Sequence, residues 1–210
     1  MYGTEKDSQD SSESRSVAAT IYDWMDSLVL AIVVVILIFT FVFRVVSVSG
    51  PSMMNTFLNG DHVIVSDIGY TPKEGDVVIL SRNYDNDATL ETNGDNTPII
   101  KRVIALGGQW INIDPTTHAV SVGDEVNGQV VYHTLNEPYV SSTTIMGDFT
   151  YPRQVPEGDI FVMGDNRAVS EDSRYAAIGK DGFFDTRYVI GHVLVRILPL
   201  SRIGVNFSGT

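Results

Sequence analysis

The chain has 210 residues, 43% of them hydrophobic, with 26 Asp and Glu against 14 Lys and Arg, a net charge of −12 and no cysteine. The missing cysteine excludes disulfides, thiolate zinc sites and a cysteine nucleophile. The lack of a dense basic patch excludes nucleic acid as a partner, because phosphate binding needs concentrated positive charge.

Residues 1–16, MYGTEKDSQDSSESRS, are polar and Ser-rich, which predicts a disordered tail over 1–20. Residues 27–43, SLVLAIVVVILIFTFVF, carry no charge, and Asp26 and Arg44 bracket them. As a helix they rise about 25 Å, against a hydrocarbon core of about 30 Å. Val45 and Val46, with Arg44 snorkelling, close the gap, so a transmembrane anchor is predicted over 21–46. Apolar residues occupy every face, unlike an amphipathic surface helix. A cleavable signal peptide has a shorter apolar region behind a positive leader. Here Lys6 and Arg15 stand against six acids before residue 27. Two basic residues before the span and Arg44 after it leave the orientation undecided by charge.

Strand signals follow at 62–66, 76–81, 98–106, 119–122, 129–133, 159–163 and 189–198, all rich in Val and Ile and bounded by turn residues. Lys73-Glu74-Gly75-Asp76 and Asn127-Gly128 read as turns. The stretches 83–97 and 134–158 read as loops or inserts. No segment after residue 46 has a helical period. A mostly β domain with antiparallel sheets is therefore predicted over 47–210, with a smaller β insert at 107–158.

Three clusters can carry chemistry. The first is Ser49-Gly50-Pro51-Ser52-Met53-Met54-Asn55-Thr56-Phe57, just after the span, where Ser52 is a nucleophile or part of an ordinary turn. The second is Pro98-Ile99-Ile100-Lys101-Arg102-Val103-Ile104-Ala105-Leu106. Alternation puts Ile99, Lys101 and Val103 on one face and Ile100, Arg102 and Ile104 on the other. Both faces are mainly apolar, so the strand is central and buried. Burial disfavours the ammonium of Lys101, and a neutral amine can take a proton from a serine hydroxyl. A snorkelling lysine or half of an ion pair fits the same residues. The third is Gly164-Asp165-Asn166-Arg167-Ala168-Val169-Ser170-Glu171-Asp172-Ser173-Arg174. It is either a solvated loop or a self-cross-linked one that rigidifies a neighbouring site.

Taken together, the three clusters resemble type I signal peptidases over residues 20–200, and Glu74-Gly75-Asp76-Val77-Val78 matches a further box of that family. The resemblance implies a Ser/Lys dyad with Ser52 as nucleophile and Lys101 as general base. It implies that Ser170 hydrogen-bonds and positions the lysine, and that Asp172 and Arg174 form a structural salt bridge behind them. It places Val48, Gly50, Met53, Phe57 and Ile100 along the substrate path. It implies no metal and no cofactor. The implied substrate is the extended cleavage segment of a secretory preprotein's signal peptide, with small residues at −3 and −1. The implied partners are the lipid bilayer and the neighbouring secretion translocon. The implied setting is the cell membrane, with a single pass, a cytoplasmic N-terminus and an extracytoplasmic catalytic domain. The single span resembles the Gram-positive form, and lysine at 101 the prokaryotic type.

Two positions depart from the family pattern. Asn55 stands where proline is usual, and Gly50 where some relatives have a serine that helps the oxyanion hole. Oxyanion stabilisation would then rest mainly on the Ser52 backbone N–H, alone or with another backbone donor. Other readings are a repressor-type Ser-Lys protease and a membrane-anchored β-domain that binds partners without cutting, as a dedicated or inactive homologue would. His62, His118, His133 and His192 sit in no recognisable catalytic context.

Overall fold

A computed structural model describes residues 6–82 and 97–205, with side chains from residue 20 onward. Two compact units divide between Phe43 and Arg44.

The first unit is one helix, α1 (Lys6–Phe41). It begins within the segment expected as a polar tail: Met1–Glu5 fall outside the described residues, and the helix runs from Lys6. No Gly or Pro interrupts the segment. Once the apolar stretch forms a helix, each added residue costs no new nucleation. The membrane-length part is Thr20–Phe41, 22 residues. At 1.5 Å per residue this spans about 33 Å. The anchor therefore reaches its length at the N-terminal side, through Thr20 and Ile21. Val45 and Val46 do not belong to it. They lie in a strand, where β-branched side chains fit a pleated surface.

The second unit is β-rich. Its larger sheet joins β1 (Arg44–Ser47), β2 (His62–Ser66), β3 (Val77–Leu80), β4 (Ile99–Leu106), β9 (Asp159–Met163), β10 (Phe184–Asp185), β11 (Val189–Leu198) and β12 (Gly204–Val205). The order is β1-β2-β11-β3-β4-β9-β10, with β12 also on β11, and every pairing is antiparallel. The smaller sheet holds β5 (Trp110–Ile113), β6 (Val120–Val126), β7 (Gln129–Thr134) and β8 (Arg153–Gln154), in the order β7-β6-β5-β8. The hairpin between β6 and β7 turns at Asn127 and Gly128, both at positive φ, as a tight two-residue loop requires. The strands at 62–66, 159–163 and 189–198 lie where the Val/Ile runs put them. The expectation missed β1, β5, β8, β10 and β12, which are short or lack a Val/Ile run. The predicted loop at 83–97 falls almost wholly outside the described residues.

β3 and β4 are the centre of the larger sheet. Val77–Leu80 are all buried, and Lys101 pairs with Val78 across the ladder. Alternation holds on β4. Ile100 packs with Val77 and Ile79 on one face, while Ile99 and Val103 pack with Val78 and Leu80 on the other. Lys101 belongs to the latter face. Past a register shift between Val103 and Ala105, Ile104 and Ala105 join Ile111, Ile113 and Phe161 in a third cluster that couples the two sheets.

Candidate active site

Ser52 lies in a tight turn. Met54 N donates to the Pro51 carbonyl at 3.0 Å, and Thr56 N and Phe57 N donate to the Met53 carbonyl at 3.1 and 2.8 Å. Met53 and Phe57 have no solvent exposure and anchor the turn in the core beside Val48. Gly50 and Asn55 flank it at φ of 87° and 86°. The family's usual proline is impossible at 55 in this backbone, because its ring holds φ near −65°. Asn tolerates the left-handed region. From the other side, Asn166 N donates to the Ser52 carbonyl at 3.0 Å and Asn166 Nδ2 to the Pro51 carbonyl at 3.2 Å. The third cluster thus grips the backbone of the first.

Lys101 is 4% exposed. Burial, first of all, pulls its pKa down from 10.5 to about 8. Arg82 and Arg174 push the same way, while the carboxylates of Asp172 and Glu171 oppose them. Ser52 and Lys101 line one cleft of about 180 Å³, with Arg82, Ile99, Val169, Glu171 and Ile178. Among the described residues no hydrogen bond joins the two side chains. Catalytic contacts are commonly long before substrate binds and tighten in the complex.

Asp172 and Arg174 form a fully buried fork: Nε to Oδ1 at 2.7 Å and Nη2 to Oδ2 at 2.8 Å. The carboxylate also accepts from Gly164 N at 2.9 Å. Arg174 donates to the carbonyls of Ile145, Arg167 and Ser170 at 2.9, 2.7 and 3.0 Å. Every polar group of the pair is thereby satisfied, the condition under which a buried ion pair persists. Ser170 differs from expectation. Its hydroxyl is buried and has no hydrogen-bond partner, so the implied bond to Lys101 is not made here. Its Oγ is instead packed against Gly164.

The five residues expected along the substrate path do not line the cleft. Val48, Met53, Phe57 and Ile100 are core residues, and Gly50 lies outside the lining. Ile100 points away because alternation sends it to the opposite face from Lys101. Ile99, on the face of Lys101, lines this cleft, and the two-residue period already contained that signal. Val169 and Glu171 belong to the third cluster, while Arg82 and Ile178 lie outside all three and no local pattern along the chain assigns them to the cleft. The reading also missed a second buried pair, Arg102 with Asp165, at 2.8 and 2.7 Å.

The model of the family "Signal peptidase, peptidase S26" matches residues 21–198. Signal peptidase I P of Bacillus subtilis subsp. natto is 32% identical over 190 residues, covering 88% of this chain and 93% of the relative. A probable signal peptidase I-1 of Synechocystis is 32% identical over 186 residues, covering 84% and 82%. Signal peptidase I of Bacillus licheniformis is 30% identical over 189 residues, covering 88% and 92%. The family match takes in the apolar helix from Ile21 and every strand from β1 to β11. The chain belongs to the signal peptidase family, peptidase S26, and is a membrane-anchored peptidase.

Proposed function

We propose that this peptidase removes N-terminal signal peptides from exported preproteins with Ser52 as nucleophile and Lys101 as general base. The observation that carries the assignment is the burial of Lys101 in the cleft that Ser52 lines. With a pKa near 8, about a tenth of the amine is neutral at pH 7. Neutral Lys101 takes the Ser52 proton, and Oγ attacks the scissile carbonyl. The Ser52 backbone N–H is the available donor to the developing oxyanion. Protonated Lys101 returns its proton to the leaving amine. Water, deprotonated by the same amine, then releases the acyl group. Asp172 and Arg174 keep the loop 164–174 in place behind the site.

The walls of the cleft, Ile99, Val169 and Ile178, are apolar and suit an uncharged side chain beside the scissile bond. The family resemblance supports cutting after small residues in an Ala-x-Ala-like segment that binds in extended form. The family resemblance supports a cytoplasmic N-terminus, an extracytoplasmic β domain and a place beside the translocon. The test is cleavage of a preprotein bearing an Ala-x-Ala site by the wild type, Ser52→Ala, Lys101→Ala and Lys101→Arg. Only the wild type is expected to cut, since a guanidinium does not deprotonate in proteins. Cleavage by Ser52→Ala or Lys101→Arg sinks the dyad.

A further inference from the structure

The segment 137–148 reads from sequence as a loop, yet it touches all three motif clusters. Glu137 accepts from both Nη groups of Arg167, at 2.9 Å for Nη1, and that guanidinium has no solvent exposure. Tyr139 donates its hydroxyl to Glu137 at 3.0 Å and lays its ring under Arg102, whose Cζ is 3.9 Å from the ring centre. Arg102 holds Asp165, and Asp165 accepts from Thr56 Oγ1. Ser141 Oγ accepts from Asn55 Nδ2, and Ser142 Oγ from Ala168 N at 3.2 Å. One run of contacts therefore passes through Thr56, Asp165, Arg102, Tyr139, Glu137 and Arg167. It ties the Ser52 turn, the Lys101 strand and the loop 164–174 to a single strap.

Each tie bears on Lys101 indirectly. Arg102 is its neighbour on β4 and points to the other face, so a grip on Arg102 sets where β4 presents Lys101. Arg167 belongs to the loop that brings Glu171, Asp172 and Arg174 to Lys101. Arg82, just past β3, is the other charged group acting on the amine. A loop that lifts admits water, and water favours the ammonium form.

We propose that Glu137 and Tyr139 are positioning residues, a clasp through which the strap holds the lysine strand and the loop 164–174 closed around the amine. The proposal rests on the assignment of Lys101 as general base. Glu137 keeps Arg167 in place, and Tyr139 joins that pair to Arg102. Neither touches substrate.

The test is steady-state cleavage of the Ala-x-Ala preprotein by the full chain in detergent, from pH 6 to pH 10. Wild type, Glu137→Gln, Tyr139→Leu, Tyr139→Phe and Lys101→Ala are compared. Glu137→Gln and Tyr139→Leu are expected to lower kcat at pH 7 about tenfold or more, with KM within about twofold. Their acid limbs move up in pH, so the loss shrinks to about threefold at pH 9.5. Tyr139→Phe keeps the ring under Arg102 but loses the hydroxyl bond to Glu137, so its loss at pH 7 is expected to fall between wild type and Tyr139→Leu, at about threefold. A loss by the same factor at every pH, or an unmoved kcat and acid limb in folded variants, overturns the clasp. If Tyr139→Leu does not fold by near-ultraviolet circular dichroism, Glu137→Gln is judged by the same outcomes. Cleavage by Lys101→Ala overturns the base assignment itself. No cleavage by Lys101→Ala, with unmoved acid limbs in the clasp variants, overturns the clasp alone.

Discussion

Gly164 and Ser170 are packed so closely that only a glycine fits at 164. A Cβ there would stand 2.2 Å from Ser170 Oγ and 2.5 Å from the Ser52 carbonyl oxygen. Gly164→Ala must therefore displace the backbone that carries the nucleophile. It is expected to cost about 1–3 kcal/mol of stability, as overpacking does. Cleavage is expected to fall about 100-fold, since a shift near 1 Å is enough for that. Adding Ser170→Gly removes the first clash and leaves the second, so the double variant stays inactive. Urea denaturation and initial-rate cleavage check both statements.

The acid limb of cleavage reports Lys101. The amine titrates near 8, so kcat/KM rises about tenfold from pH 7 to pH 9 and then levels. An ordinary lysine would leave the profile still climbing above pH 10. A pH–rate profile of the wild type on the Ala-x-Ala preprotein distinguishes the two shapes.

The same shift makes stability depend on pH. Folding lowers the pKa of Lys101, so the unfolded chain binds its proton more tightly. The penalty is fully present below about pH 8 and is lost as pH rises from there to 10.5. Against Lys101→Met, the wild type is expected to be about 3 kcal/mol worse placed at pH 7 than at pH 10.5. Urea midpoints of both proteins across that range measure it. A constant gap means that the amine is not desolvated.

Asn55 tests the turn after the nucleophile. Its φ of 86° excludes proline and suits glycine. Asn55→Pro, though it restores the family's common residue, is expected to cost about 2–3 kcal/mol and most of the activity. Asn55→Gly stays within about 1 kcal/mol and retains cleavage, losing only the hydrogen bond to Ser141. Thermal melts with parallel cleavage assays separate the two.

Ile99 and Ile100 are adjacent but lie on opposite faces of β4. Ile99→Trp fills the cleft, and kcat/KM is expected to fall about 100-fold or more with little change in Tm. Ile100→Ala opens a core cavity, which costs about 2–5 kcal/mol while the folded fraction cleaves normally. If Ile100→Ala alters the choice of residue at the cleavage site and Ile99→Trp does not, the cleft is misassigned.

The sequence alone determined what local chemistry can express. An uninterrupted apolar run specified the helix, Val/Ile runs specified seven of the strands, and Asn127-Gly128 marked the hairpin. Alternation on β4 separated Lys101 from Arg102, and the three motif clusters pointed to a serine and a lysine. Tertiary structure decided which groups meet. Ser52, Arg82, Lys101 and Glu171 converge on the cleft from separate segments, and Glu137 and Tyr139 reach Arg167 and Arg102 across about 30 to 40 positions of chain. Such meetings follow from sheet order and loop packing, which have no period along the chain. It also decided that Val45 and Val46 pair with β2 instead of extending the helix, because a β-branched pair satisfies its backbone equally well in either setting and the neighbouring strand selects one.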